Sequence, residues 1–142
     1  MKSLFDEENK LKLIDLTGRL PYGVIVNTPK GDGYLHTVNL TIFGTEYGVN
    51  IDATKRDTFN DREDVIKPYL RPMSSMTEEE NEEYNNIDNR AYSCPKDYAH
   101  IPAKDRIDWL LKNHFDFRGL IPKGLAIEVT KENNPYEIRS RE

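Results

Sequence analysis

The sequence has a single cysteine, Cys94, in 142 residues, which excludes an internal disulfide framework and fits a reducing compartment. Long apolar runs are missing too. No stretch approaches the ~20 apolar residues that a membrane span needs, and the segment from Met1 to Glu8 lacks the apolar centre of a secretory signal. A cytoplasmic protein with no membrane partner is expected. Glycine is absent between Gly48 and Gly119, so tight-turn chemistry is confined to the two flanking regions. Also absent are Gly-x-x-x-x-Gly-Lys-Ser/Thr, Gly-x-Gly-x-x-Gly, Gly-x-Ser-x-Gly and His-Glu-x-x-His, the signatures of the commonest phosphate, acyl-transfer and zinc chemistries. His36, His100, His114 and Cys94 show no familiar ligand spacing. The acids and amide Asp57, Asn60, Asp61, Glu63 and Asp64 lack the alternating order and central glycine of a calcium loop. No metal and no cofactor is expected.

What the chain does have is charge and aromatic side chains. Charged residues make up 32% of it, and the formal net charge is -5. That charge is local. Residues 78–88 hold six of the 25 acids and no base, leaving 19 acids against 20 bases elsewhere. The run reads as a solvated helix face, and Glu79, Glu80, Glu82 and Glu83 are its candidates for contact with a partner. Eight tyrosines, five phenylalanines and one tryptophan are enough to nucleate a core in an otherwise polar chain.

The periodicity predicts one α+β domain over residues 1–129, with a β-rich part at 22–72, a helical part at 75–129 and a polar, frayed tail at 130–142. Leu11 and Ile14 suggest an N-terminal helix from Asp6 to Arg19, stopped by Gly18 and Pro21. Period-two alternation follows. Val24 and Val26 alternate with Ile25. Tyr34, His36, Val38, Leu40 and Ile42 then point one way, and Leu35, Thr37, Asn39, Thr41 and Phe43 the other. Tyr47, Val49 and Ile51 form a further strand. Residues 52–64 read as a loop, and the prolines of Val65–Pro72 suit an edge strand. Together these strands predict a small antiparallel SH3-like barrel or curled sheet, flanked by the N-terminal helix and two C-terminal helices. Ser75-Met76-Thr77-Glu78 fits a capping box for the first of these, which Asn85-Asn86 should end. Residues 85–101 read as a loop, Pro102 opens the second helix, and Leu125–Val129 forms a last strand. The expected core comprises Val24, Val26, Val38, Leu40, Ile42, Val49, Ile51, Ile107, Leu110, Leu111, Phe115 and Leu120, and His36 is placed on an apolar strand face.

Three stretches form a pattern across the chain: Leu20-Pro21-Tyr22-Gly23-Val24, the run from Ile66 through Lys67-Pro68-Tyr69-Leu70-Arg71-Pro72 to Glu80, and the run from Asp108 through His114-Phe115-Asp116-Phe117-Arg118 to Ile127. This pattern resembles a widespread group of small uncharacterised proteins encoded by phages and prophages of gut bacteria. The resemblance implies a phage-type accessory protein in the host cytoplasm, and no catalytic residue comes with it.

His114, Asp116 and Arg118 could in principle supply a base, an orienting carboxylate and an anion clamp. The simpler expectation is structural, with Phe115 and Phe117 anchoring a helix end and the polar residues capping or pairing locally. Catalysis is therefore not expected; were it present, His114 and Asp116 would carry it. Tyr69 with Arg71, and Phe117 with Arg118, are arginine–aromatic pairs that could hold a nucleotide. Nucleic acid is disfavoured, because Lys55, Arg56, Arg62 and Lys67 are interleaved with acids that cancel their field. The expected function is a non-catalytic binding module acting through contact with a host or phage protein. The alternatives are an anti-defence inhibitor or nucleotide-signal sponge, and an enzyme using His114 and Asp116.

Overall fold

The computed structural model describes residues 13–52, 55–93 and 100–136. The N-terminal helix is described only as α1 (Leu13–Thr17), followed by a 3-10 turn at Leu20–Tyr22 that contains Pro21 and ends on Gly23 at φ 66. The rest of the helix expected from Asp6, and Cys94, lie outside the described residues.

Five strands come next: β1 (Ile25–Thr28), β2 (Gly31–Thr41), β3 (Gly44–Asp52), β4 (Lys55–Asn60) and β5 (Lys67–Pro72). Helices α2 (Glu78–Ser93) and α3 (His100–Lys112) pack on each other, and two short strands, β6 (Phe115–Asp116) and β7 (Ile127–Glu128), return to the sheet. The architecture is α+β. The strand order is β4-β3-β2-β1-β5-β6, with β7 also paired to β5. The first four ladders are antiparallel and the two to β6 and β7 parallel. The sheet is open: among the described residues β4 and β6 do not pair, so it does not close into a barrel.

Several elements depart from the alternation. Residues 55–60, read as loop, form β4 against β3, because Phe59 alone is buried there and its polar neighbours hide the pattern. Strand β5 is not an edge. It is paired to β1, β6 and β7, two residues at a time, so each ladder asks little of Pro68 and Pro72. Helix α2 runs past Asn85-Asn86 to Ser93. Its cap is also two residues later than expected. Thr77 Oγ1 accepts from the Glu80 amide at 3.1 Å, and Glu80 accepts from the Thr77 amide at 2.9 Å, while the Ser75 hydroxyl donates to the Pro72 carbonyl. Both tetrads satisfy the same pattern, and only Thr77-Glu78-Glu79-Glu80 is used.

A β-bulge between Leu35 and Thr37 resets the alternation along β2. It lets Leu35 and Val38, which strict alternation places on opposite faces, both join the core with Val24, Val26, Val49 and Phe59. Leu40 and Ile42 continue the face of Val38 but lie past the end of the core, at 70% and 86% exposed, and His36, at the bulge, is exposed beside Arg56. Ile107, expected in the core, is 43% exposed, and Val38, Ile51 and Leu111 are partly buried. Strand β1 is covered on both faces, since Val24 and Val26 pack into one cluster and Ile25 into another with Tyr69 and Val129.

Where β1, β2 and β3 converge the backbones are close. A Cβ built on Gly33 would lie 2.6 Å from the Asn50 carbonyl oxygen and 2.8 Å from a Val49 methyl. Backbone cannot retreat as a side-chain end can. Gly33→Ala is expected to lose about 1–3 kcal/mol of stability in chemical denaturation; a loss below about 0.5 kcal/mol would mean that the strands separate freely.

Candidate functional site

The polar centre of the molecule assembles where β5, β6 and the N-terminal turn meet under the helices. Arg71 leaves β5 toward α2 and grips Glu80 with both terminal nitrogens, at 2.6 and 2.7 Å, while one of them also donates to the Ser75 carbonyl at 3.1 Å. Glu80 thus caps α2 and anchors it to the sheet. Its pKa is drawn down to about 2, chiefly by the hydrogen bonds from Arg71 and against the opposing effect of burial. A half-buried bidentate pair of this kind is worth on the order of 1–3 kcal/mol. The Arg71 guanidinium also lies over the Phe115 ring at 4.3 Å, and its amide donates to the His114 carbonyl at 2.8 Å. Aromatic contact continues outward from Phe115, stacked on Trp109, to Tyr84, tilted by 50° against Trp109, each pair 5.6 Å between centroids, and the Trp109 Nε1 donates to Glu83 at 3.1 Å.

His114 terminates α3 in the left-handed region, at φ 62. Its ring stacks on Tyr136 at 3.9 Å. Burial, reinforced by Arg19 and Arg71, pushes its pKa down to about 4, so the ring is neutral at pH 7. Tyr136 falls in the segment expected to be a polar tail, yet its hydroxyl accepts from the Ile25 amide at 3.1 Å and donates to the Tyr69 carbonyl at 2.7 Å. Asp116 is buried and its two oxygens accept from the amides of Leu120 and Ile121, both at 2.9 Å. It shapes the turn after β6.

Beneath them lies Arg19, which is 1% exposed. Its Nε donates to the Asp15 carbonyl at 3.1 Å and its Nη2 to the Phe115 carbonyl at 2.9 Å, joining the N-terminal turn to a strand 96 residues away. Its Nη1 has no hydrogen-bond partner among the described residues. Desolvation lowers its pKa, opposed by Tyr136, Asp116 and Asp15. Arg118 forms an ion pair with the buried carboxylate of Asp15. No protein-family model, curated protein or solved structure matches the chain.

Beside Arg19 opens a cavity of about 390 Å³, lined by Asp15, Gly18, Arg19, Ile107, Leu111, Phe117 and Arg118. A second hollow of similar volume, shallower, runs along the start of α2 past Met73, Met76 and Tyr84. Of the residues singled out in the sequence as candidates for binding, Phe117 and Arg118 line the first cavity. Arg71 and Glu80 are spent on each other, Glu83 on Trp109, and Tyr69 on Asp32 at 2.9 and 3.0 Å, which with burial raises the Tyr69 pKa to about 12. Glu79 and Glu82 stay exposed on α2. His114 and Asp116 face different tasks, stacking and turn-capping, and no hydrogen bond joins them among the described residues. Asp15, Arg19 and Tyr136 escaped the sequence reading. An arginine before a Leu-Pro turn looks solvated, and nothing in its spacing signals burial.

Asp57, Asp61 and Asp64 are engaged within the fold, Asp57 in an ion pair with Lys30 at 3.5 Å. Asp61 accepts from the Thr45 amide and Asp64 from the Asn60 amide, each at 3.1 Å.

Two expectations follow from this chemistry. His114 and Glu80 both have folded pKa values below their ordinary 6.5 and 4.5, so the unfolded chain binds more protons in acid. The contribution of these two groups to stability is therefore full above about pH 6.5. It falls first through the window between 6.5 and 4 as His114 resists protonation, and then between 4.5 and 2 as Glu80 does. His114→Phe keeps a ring against Tyr136 and should abolish the first phase, flattening Tm between pH 7 and 4.5; parallel curves for the two proteins would refute the assignment. Asp116→Ala leaves two amides without their acceptor and should cost about 1–3 kcal/mol in denaturant, with Asp116→Asn recovering part of it.

Proposed function

We propose that the protein is a small non-catalytic binding module that works through protein–protein contact, and that the tip of the β2–β3 hairpin is the contacting surface. The observation that carries this is the exposure of three apolar side chains at one turn: Leu40 at 70%, Ile42 at 86% and Phe43 at 64%. Isolated exposed apolar groups are common, but adjacent ones at a protruding tip suit a partner.

The tip is held rigidly. The Thr41 hydroxyl donates to the Gly44 carbonyl at 2.9 Å and accepts from the Phe43 amide at 3.1 Å, and Asp61 braces the Thr45 amide. A preformed turn loses little entropy on binding. Strand β1 pairs with β2 from Gly31 to Tyr34, and the Leu35 amide donates to the Val24 carbonyl at 3.0 Å; beyond Leu35, β2 has β3 on one side and no other paired strand among the described residues. Such an edge admits an added strand from a partner, and Ile42 and Phe43 would flank it.

The resemblance to phage and prophage proteins extends this proposal to an accessory protein working on a host or phage protein in the host cytoplasm. A nucleotide-signal sponge is less favoured, since Arg71 is engaged by Glu80 and Tyr69 by Asp32. Catalysis by His114 and Asp116 is less favoured as well, since the two groups are not coupled.

The double substitution Ile42→Ser with Phe43→Ser removes exposed groups and should change folding stability by no more than about 0.5 kcal/mol. It should abolish capture of a partner that binds the wild-type protein, whereas Glu79→Gln with Glu82→Gln should leave capture intact. Retention of the partner by the hairpin variant would sink the assignment.

A further inference from the structure

The cavity beside Arg19 calls for an occupant that the hairpin contact does not supply. Its walls come from three distant parts of the chain: Gly18 and Arg19 from the N-terminal turn, Ile107 and Leu111 from α3, and Phe117 and Arg118 from the segment after β6. Ile107, Leu111 and Phe117 make them apolar. Ile107 is the most exposed of these three and stands at the rim. Ligand cavities of about 300–1,000 Å³ with apolar walls and few polar groups are the usual form of a small-molecule site.

The charge in the lining is unequal. Two guanidinia face it against one carboxylate, and that carboxylate, Asp15, is paired with Arg118. Asp116 is nearby, but its oxygens are turned to the amides of Leu120 and Ile121. Among the described residues Arg19 bonds to carbonyls and to no carboxylate, while Asp15 and Asp116 act on it through space. It is almost wholly buried, two of its nitrogens are used on carbonyls, and Nη1 has no acceptor among the described residues. A buried donor left unmade costs roughly 1–3 kcal/mol, more when charged, so an acceptor arriving at that atom is favoured. A single unpartnered donor fits one carboxylate better than the several oxygens of a phosphate group.

We infer that this cavity is a binding site for a small amphipathic monocarboxylate, its carboxylate on Arg19 Nη1 and its apolar body against Ile107, Leu111 and Phe117. The site is independent of the hairpin tip. The cation–π contact of Arg19 with Phe117, at 5.5 Å, sets the guanidinium against the same ring that would receive the ligand's apolar part.

The test uses the full chain and three probes with one tail: sodium octanoate, octan-1-ol and octylammonium, followed by calorimetry and by amide and arginine Nε shifts in NMR. Adenosine 5′-monophosphate serves as the phosphate control. Octanoate is expected to bind at least tenfold more tightly than octanol, with shifts centred on Gly18, Arg19, Leu111 and Phe117, and octylammonium is not expected to bind. Arg19→Met should remove the preference for octanoate over octanol. Because that variant also removes two buried hydrogen bonds of the fold, Ile107→Glu at the exposed rim provides a second reading: it should weaken octanoate at least tenfold, while Ile107→Lys should not. Equal affinity for octanoate and octanol, shifts centred on residues 40–43, tighter binding of the nucleotide, or no binding of octanoate at millimolar concentration would each overturn the assignment.

Discussion

A guanidinium shut away from water is expensive, and the central part of this fold is arranged around one. Arg19 lies where the N-terminal turn passes under β6, and it can be there only because the carbonyls of Asp15 and Phe115 receive its protons. Those bonds fix the entry of the chain relative to its C-terminal third. Asp15, held close by the same geometry, then meets Arg118, and Phe117 covers the guanidinium face. The cavity is what remains once these groups have been placed.

The strings Ile66–Glu80 and Asp108–Ile127 meet in space as one assembly. Arg71 and Glu80 come from the first string, and His114, Phe115 and Trp109 from the second. In the structure Arg71 joins them through its amide, its guanidinium and the Phe115 ring. Most of their polar residues are consumed internally. Glu80 serves as both helix cap and ion-pair partner, and Asp116 closes a turn. A motif whose polar groups already face each other specifies packing. The surfaces left for other molecules lie elsewhere, at the hairpin tip and beside Arg19.

Elements with strong local signals were legible. Leu110, Phe115 and Leu120 are buried where helical spacing and aromatic clustering place them, and Val24, Val26 and Val49 follow from period two. Strand β4 was not legible, because a strand with Phe59 as its one buried side chain carries no alternation. Strand β2 misled for two other reasons: its bulge brings Leu35 and Val38 to one face without any mark in the residue types, and its outer half, with Leu40, runs beyond the core that Val38 joins. Of the candidate site, Arg118 and Phe117 were singled out, though as a nucleotide clamp. Arg19 was missed, since its burial depends on carbonyls contributed by distant residues.

By itself, the sequence determined the α+β class, the positions of the main strands, the helix that opens near Pro102 and the local origin of the negative charge. All of these depend on periods of two or 3.6 and on turn and capping residues within a few positions. Tertiary structure alone decided which Ser or Thr caps α2, that β5 lies inside the sheet, that Tyr136 returns to the core and that Arg19 is buried. Each of those outcomes depends on a partner far away in the chain, and hydrogen-bonding groups that meet only after folding leave no periodic trace.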